Sequence, residues 1–117
     1  MTNSLNLVDD WLTLPDIADA TDVGISKVRR WVEDRAIAGI KHGSPSVFQV
    51  PALFLKEDAP VPHLRGTLVL LADAGFDDDE AIVWLFTPDD SLPGRPIDLL
   101  REGNKGEVRR RAQALAF

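Results

Sequence analysis

The chain holds 117 residues, 44% of them hydrophobic and 27% charged, with a formal net charge of −6. That balance suits one globular domain, or two very small units sharing a core, and excludes wholesale disorder. The complete lack of cysteine excludes disulfides, thiolate zinc sites and thiol catalysis, and suits a reducing cytoplasm.

Residues 1–10, MTNSLNLVDD, are polar and unpatterned and read as a flexible N-terminal tail. They lack the basic region and apolar run of a secretory signal. Thr13 reads as an N-cap, because Thr13-Leu14-Pro15-Asp16 fits a capping box and proline is tolerated in a first turn. Leu14, Ile17, Ala18 and Thr21 recur at helical spacing, which predicts a short amphipathic helix. Asp22-Val23-Gly24 breaks it, with Val23 pointing back into the core.

The next helix is predicted over residues 25–35. At about 100° per residue, Val28, Trp31 and Val32 share the face that must be buried. Ser26 and Arg30 lie opposite, with Lys27 and Arg29 on the flanks. The distribution of charge adds to this. Residues 24–65 carry seven bases against four acids, or +3, whereas the 23 residues before them hold five acids and no base. The stretch after residue 65 is also acidic, at −4. The only positive block thus coincides with this helix and the β-prone segment next to it, and the local field matters more than the total.

Ala38 to Lys41 and Val47 to Val50 are two β-prone runs joined by His42-Gly43-Ser44-Pro45-Ser46. Glycine, serine and proline at the tip predict a hairpin, to which Lys41 and His42 give a basic shoulder. Pro51 is placed to open a third helix carrying Leu53 and Phe54. Helix, tight turn, basic helix and ribbon in that order outline a winged helix-turn-helix over residues 11–56, a shape that lays one helix in a DNA groove.

Lys56 to Pro62 is charged and punctuated by proline, and reads as a linker. A helical unit is predicted over residues 63–117. Leu64, Leu68 and Leu71 begin its first helix, closed by Gly75. Asp77-Asp78-Asp79-Glu80 opens a second with Ile82, Leu85 and Phe86 as its stripe. After a Pro/Gly loop from Thr87, Pro96 starts a short helix that ends near Gly103. Val108, Ala112 and Leu115 mark the last. Apolar stretches such as Leu68 to Ala72 are far too short to span a bilayer, so no membrane association is expected.

Other chemistry competes with blander roles. The run Asp77 to Glu80 suggests a metal site less than a helix N-terminus, where carboxylates cap and meet the dipole. His42 and His63 lack a partnered nucleophile or second ligand. No glycine-rich phosphate loop follows a strand. Trp11, Trp31 and Trp84 lie on or beside apolar stripes and read as core. Arg109-Arg110-Arg111 spreads around a helix, complementing its C-terminus, with a supporting phosphate contact as the alternative. Nothing points to an enzyme, a metal or a cofactor.

The segments LTLPDIADATDV, SKVRRWVED and the hairpin ending in QVPALF resemble the excisionase and MerR type of winged helix-turn-helix. Asp22 stands where that type usually has glycine, and Arg35 where glycine often closes the recognition helix. The whole chain, with WLFTPDDSL and the ending VRRRAQALAF, resembles a small actinobacterial DNA-binding protein family whose members are substrates of a transmembrane Ser/Thr protein kinase, PknL. That resemblance implies double-stranded DNA and a Ser/Thr protein kinase as partners. It also implies phosphorylation in an N-terminal tail that opposes DNA binding. Thr2 and Ser4 are the candidates, since the Thr13 hydroxyl is needed as a cap.

The expected fold is mainly α, a winged helix-turn-helix with a small β-hairpin wing and a helical C-terminal extension. The expected DNA-binding residues are Ser26, Lys27, Arg29, Arg30, Lys41 and His42, in a cytoplasmic transcriptional regulator that is a monomer or homodimer. The rival is an antitoxin-like or adaptor interaction module working through the C-terminal half. There the pattern WL…P…L…GR.P.DLL resembles the helical domain of Xre/ParS-type antitoxins.

Overall fold

A computed structural model describes residues 4–116. Its first half is built by caps. Thr13 Oγ1 accepts from the Asp16 N–H at 3.2 Å, and Asp16 returns the bond to the Thr13 N–H at 3.1 Å. This capping box starts helix α2, Leu14–Thr21. Asp22 then takes a left-handed conformation, φ 56°, and turns the chain into α3, Ile25–Glu33. Arg35 does the same at the far end, φ 64°. Both positions are those where glycine is customary. The turns are therefore kept with side chains that tolerate positive φ at a modest cost.

Strand β2, Ile40–His42, pairs antiparallel with β3, Val47–Pro51, as the hairpin pattern predicts. A two-residue strand, β1 at Trp11–Leu12, adds to the other side of β3, giving the order β1-β3-β2. Two residues are too few to leave a period in the sequence. Gly39 precedes the ribbon with its Cα pressed onto the main chain, since a Cβ there would lie 2.3 Å from the Gln49 carbonyl oxygen.

The helix expected after Pro51 does not form. Pro51 ends β3 opposite Trp11, the N–H of Ala52 donates to Asp10 O at 2.9 Å, and only a 3₁₀ turn comes next, at Ala52–Phe54. An apolar run this short fits strand or helix equally, and the pairing with β1 decides it. The expected linker is likewise structured: β4, Leu55–Lys56, pairs with β5, Ala59–Pro60, around Glu57 at φ 60°.

Four helices follow among the described residues: α4 Leu64–Asp73, α5 Asp78–Phe86, α6 Pro96–Arg101 and α7 Lys105–Ala114. Their starts and stops match the sequence signals closely. Gly75 sits at φ +95° just beyond α4, a conformation glycine adopts without strain. Asp77 caps α5 in a second capping box with Glu80, with bonds of 2.8 and 3.0 Å. Leu115 departs from expectation: it lies beyond the end of α7 and is 40% exposed, while Val108 and Ala112 are buried. About 52% of the described residues are helical. With two small antiparallel sheets, the class is mixed α/β rather than mainly α.

Both halves contribute to a single hydrophobic cluster. Phe54 is fully buried, with its ring centroid 5.8 Å from that of Phe86. Arg101 Nη1 donates to the carbonyls of Leu53 and Leu55 at 2.8 and 2.6 Å. Residues 4–10 also belong to the packed body, in place of the flexible tail expected for that stretch. Ser4–Leu7 forms a short helix, α1, that contacts α5, and Ser4 and Val8 are buried. Residues 1–3 lie outside the described part. Among the described residues, no helix is long and apolar enough to cross a membrane.

This packing has two measurable consequences. Gly39→Ala forces the Gln49 carbonyl or the ribbon to move. It should destabilise by about 1–3 kcal/mol in urea unfolding, and an unchanged midpoint would contradict the close approach. The second concerns Asp98, whose carboxylate receives Arg95 Nε and Nη2 at 2.8 and 2.9 Å. These bonds hold the Asp98 carboxyl below its ordinary value near 3.8. A depressed carboxylate contributes stability that is present above that ordinary value and lost as pH falls through the lower folded one. The slope of stability against pH below about pH 4 should therefore be shallower in Asp98→Asn than in the wild type.

Candidate nucleic-acid interface

Helix α3 buries Val28 completely and half-buries Trp31 and Val32. Its predicted face is thus the one turned inward. Ser26, Lys27, Arg29 and Arg30 are all exposed. The helix is fixed at its C-terminal end by two arginines. Arg65 Nε donates to Asp34 O at 2.7 Å, and Arg35 Nη1 pairs with Asp78 at 2.7 Å.

Those bonds sort the seven bases of residues 24–65. Arg35 is paired with a carboxylate, Arg65 with a carbonyl, and Lys56 Nζ donates to Arg101 O at 2.5 Å. The remaining four are Lys27, Arg29, Arg30 and Lys41, and none has an ion pair among the described residues. These are the cations expected from the sequence. Gly24 caps α3 without a side-chain bond, and of the first-turn N–H groups that of Lys27 donates to Gly24 O at 3.0 Å, which leaves those of Ile25 and Ser26 without an intrahelical acceptor. A helix N-terminus flanked by unpaired cations attracts phosphate.

The ribbon divides its two basic residues by strand alternation. Lys41 is exposed, opposite Phe48, whereas His42 turns inward. The His42 ring lies 4.5 Å from that of Trp11, centroid to centroid, and its Nε2 is buried without a hydrogen-bond partner among the described residues. His42 therefore braces the ribbon against β1, and of the two basic residues expected to touch DNA here only Lys41 is exposed. Trp11 has the matching role. Its place in the sequence, a whole helix-turn-helix away, gave no sign of the contact.

The acidic run has structural duties throughout. Asp77 and Glu80 form the cap, Asp78 holds Arg35, and Asp79 receives both the N–H of Ser4, at 3.2 Å, and the Ser4 hydroxyl. Ser4 is thus a buried anchor rather than an open phosphorylation site. Thr2, the other candidate, lies outside the described residues. Of the arginine triplet, Arg110 and Arg111 pair with Glu107, and Arg109 has no ion pair among the described residues.

The comparisons with known proteins fit this geometry. Residues 61–116 match the family described as "Rv2175c C-terminal domain of unknown function". The DNA-binding protein Rv2175c of Mycobacterium tuberculosis is 33% identical over 117 residues, covering 89% of this chain and 79% of that protein. The chain belongs to the Rv2175c family. The NMR structure of Rv2175c superposes with a TM-score of 0.81 at 31% identity, covering 93% of this chain and 82% of that one. The family assignment thus spans both halves, the α3 face included.

The Ser4 anchor gives a direct test. Ser4→Ala removes a hydroxyl bonded to a carboxylate and should cost roughly 1.5–3 kcal/mol. Ser4→Glu sets two carboxylates together and should release α1, read as faster proteolytic clipping before Asp10. Equal clipping in the wild type and Ser4→Glu would rule out the anchoring role.

Proposed function

We propose that this chain is a duplex-DNA-binding protein, and that α2, the turn at Asp22, α3 and the β2–β3 ribbon act as a winged helix-turn-helix. The observation that carries the reading is the set of four unpaired cations on α3 and the ribbon of a chain whose net charge is −6. The relative named as a DNA-binding protein supports it. In this reading α3 enters the major groove. Arg30, at the centre of the outward face, reaches a base edge, while Lys27 and Arg29 contact phosphate and bases. Ser26 anchors at the helix start and Lys41 touches the neighbouring backbone. A cytoplasmic transcriptional regulator is the role that fits.

Control by phosphorylation is part of the proposal only through Thr2, since Ser4 would first have to leave its seat on Asp79. A phosphate adds nearly two negative charges to a segment that already holds Asp9 and Asp10. It would oppose the approach of DNA by repulsion.

Binding-site selection on random duplexes, with titration at several salt concentrations, tests the reading. Arg30→Ala should lose about 1–3 kcal/mol on the best site and relax sequence preference there. Lys41→Ala should weaken all sequences alike. Four basic contacts give a slope of log K against log salt of roughly −3 to −4. A slope near zero with folded protein would instead favour a protein-interaction module.

A further inference from the structure

One group of basic side chains is used neither by the fold nor by the α3 face. Lys105 and Arg109 are four residues apart on α7 and so share one side of it. Both are exposed, and neither has an ion pair among the described residues. The nearby Glu107 is already engaged by Arg110 and Arg111. Like charges at this spacing weaken a helix, so the fold gains nothing from the pair.

The start of α4 faces them. His63, Gly66 and Thr67 join Lys105 and Arg109 in lining a small cavity of about 100 Å³, with no acidic residue in its wall. Cofactor and drug-sized pockets run to roughly 300–1,000 Å³, so this one has room for a single small oxyanion group. The Lys105 ammonium and Arg109 guanidinium supply charge. The His63 imidazole donates in either protonation state. Of the first-turn N–H groups of α4, that of Leu64 is bonded to Val61 O at 3.2 Å, which leaves those of Arg65 and Gly66 without intrahelical acceptors. Gly66 has no backbone reason to be glycine: its φ is ordinary, and a Cβ would meet nothing within 4 Å. Glycine weakens a helix, and what its missing side chain leaves here is open space in the cavity.

We propose that this cavity binds a phosphate group, held by Lys105, Arg109 and His63 over the first turn of α4. The group has two possible sources with the same chemistry, a DNA backbone or a free phosphate-bearing small molecule. Arg65, next to Gly66 in sequence, is bonded to Asp34 O at the C-terminal end of α3, and a duplex bound at α3 is therefore one of the two sources to be tested. Only that source rests on the DNA-binding reading; the site itself does not.

The test uses the full chain, ¹⁵N-labelled, titrated with inorganic phosphate at constant ionic strength and, separately, with a short duplex. Phosphate should move the amide signals of Gly66, Thr67 and Lys105 saturably. The double variant Lys105→Gln, Arg109→Gln should weaken that response roughly tenfold or more. Gly66→Glu, whose Cβ meets nothing within 4 Å and which adds a carboxylate at the cavity, should abolish it. Spectra unchanged away from the cavity show that both variants fold. If the duplex moves both α3 and the cavity signals, and the double variant loses only the latter, the phosphate belongs to DNA. If phosphate moves the cavity while the duplex moves α3 alone, the ligand is a free phosphate. Shifts that do not saturate, or that are equal in the wild type and the double variant, overturn the proposal. A duplex that leaves α3 unmoved while phosphate still saturates would sink the DNA-binding reading and leave the cavity standing.

Discussion

The structure depends on the burial of Phe54 at the junction of its two halves. Phe54 has no exposed surface and meets Phe86 of α5, while the carbonyls on either side of it are held by Arg101 of α6. Burying such a ring contributes roughly 1.5–3 kcal/mol. More important is what the burial imposes. The chain cannot continue as a helix after Pro51, because Phe54 must point into the helical half while β3 stays paired with β1. The 3₁₀ turn and the β4–β5 ribbon result from that demand. Arg95 adds to the same joint, with its guanidinium 5.4 Å from the centroid of the Phe86 ring.

Charge is divided by a similar economy. Within residues 24–65 the cations divide between the fold and the solvent. Arg35, Arg65 and Lys56 are each bound to a structural oxygen, and two of the three arginines in the triplet share Glu107. Lys27, Arg29, Arg30 and Lys41 remain open to solvent. The acids, too, are mostly structural at the start of α5, where they cap the helix, clamp Arg35 and seat Ser4. That one helix start therefore ties α3 and the N-terminal segment to the same point.

Whatever depends on neighbours along the chain is legible in the sequence. The capping boxes at Thr13 and Asp77, the helix stop at Gly75, the hairpin between Lys41 and Val47, and the exposed basic face of α3 are all set by spacings of two to four residues. Features that depend on distant partners are settled only by long-range packing. Strand β1 exists only because β3 lies beside it, and the stretch after Pro51 is turn and ribbon because Phe54 is drawn into the other half. Ser4 is an anchor because Asp79 accepts its hydroxyl, and His42 turns inward because Trp11 is there to meet it. The split among the seven bases is of the same kind, since a lysine or arginine reads alike in sequence whether its partner is a carbonyl across the fold or a phosphate outside it.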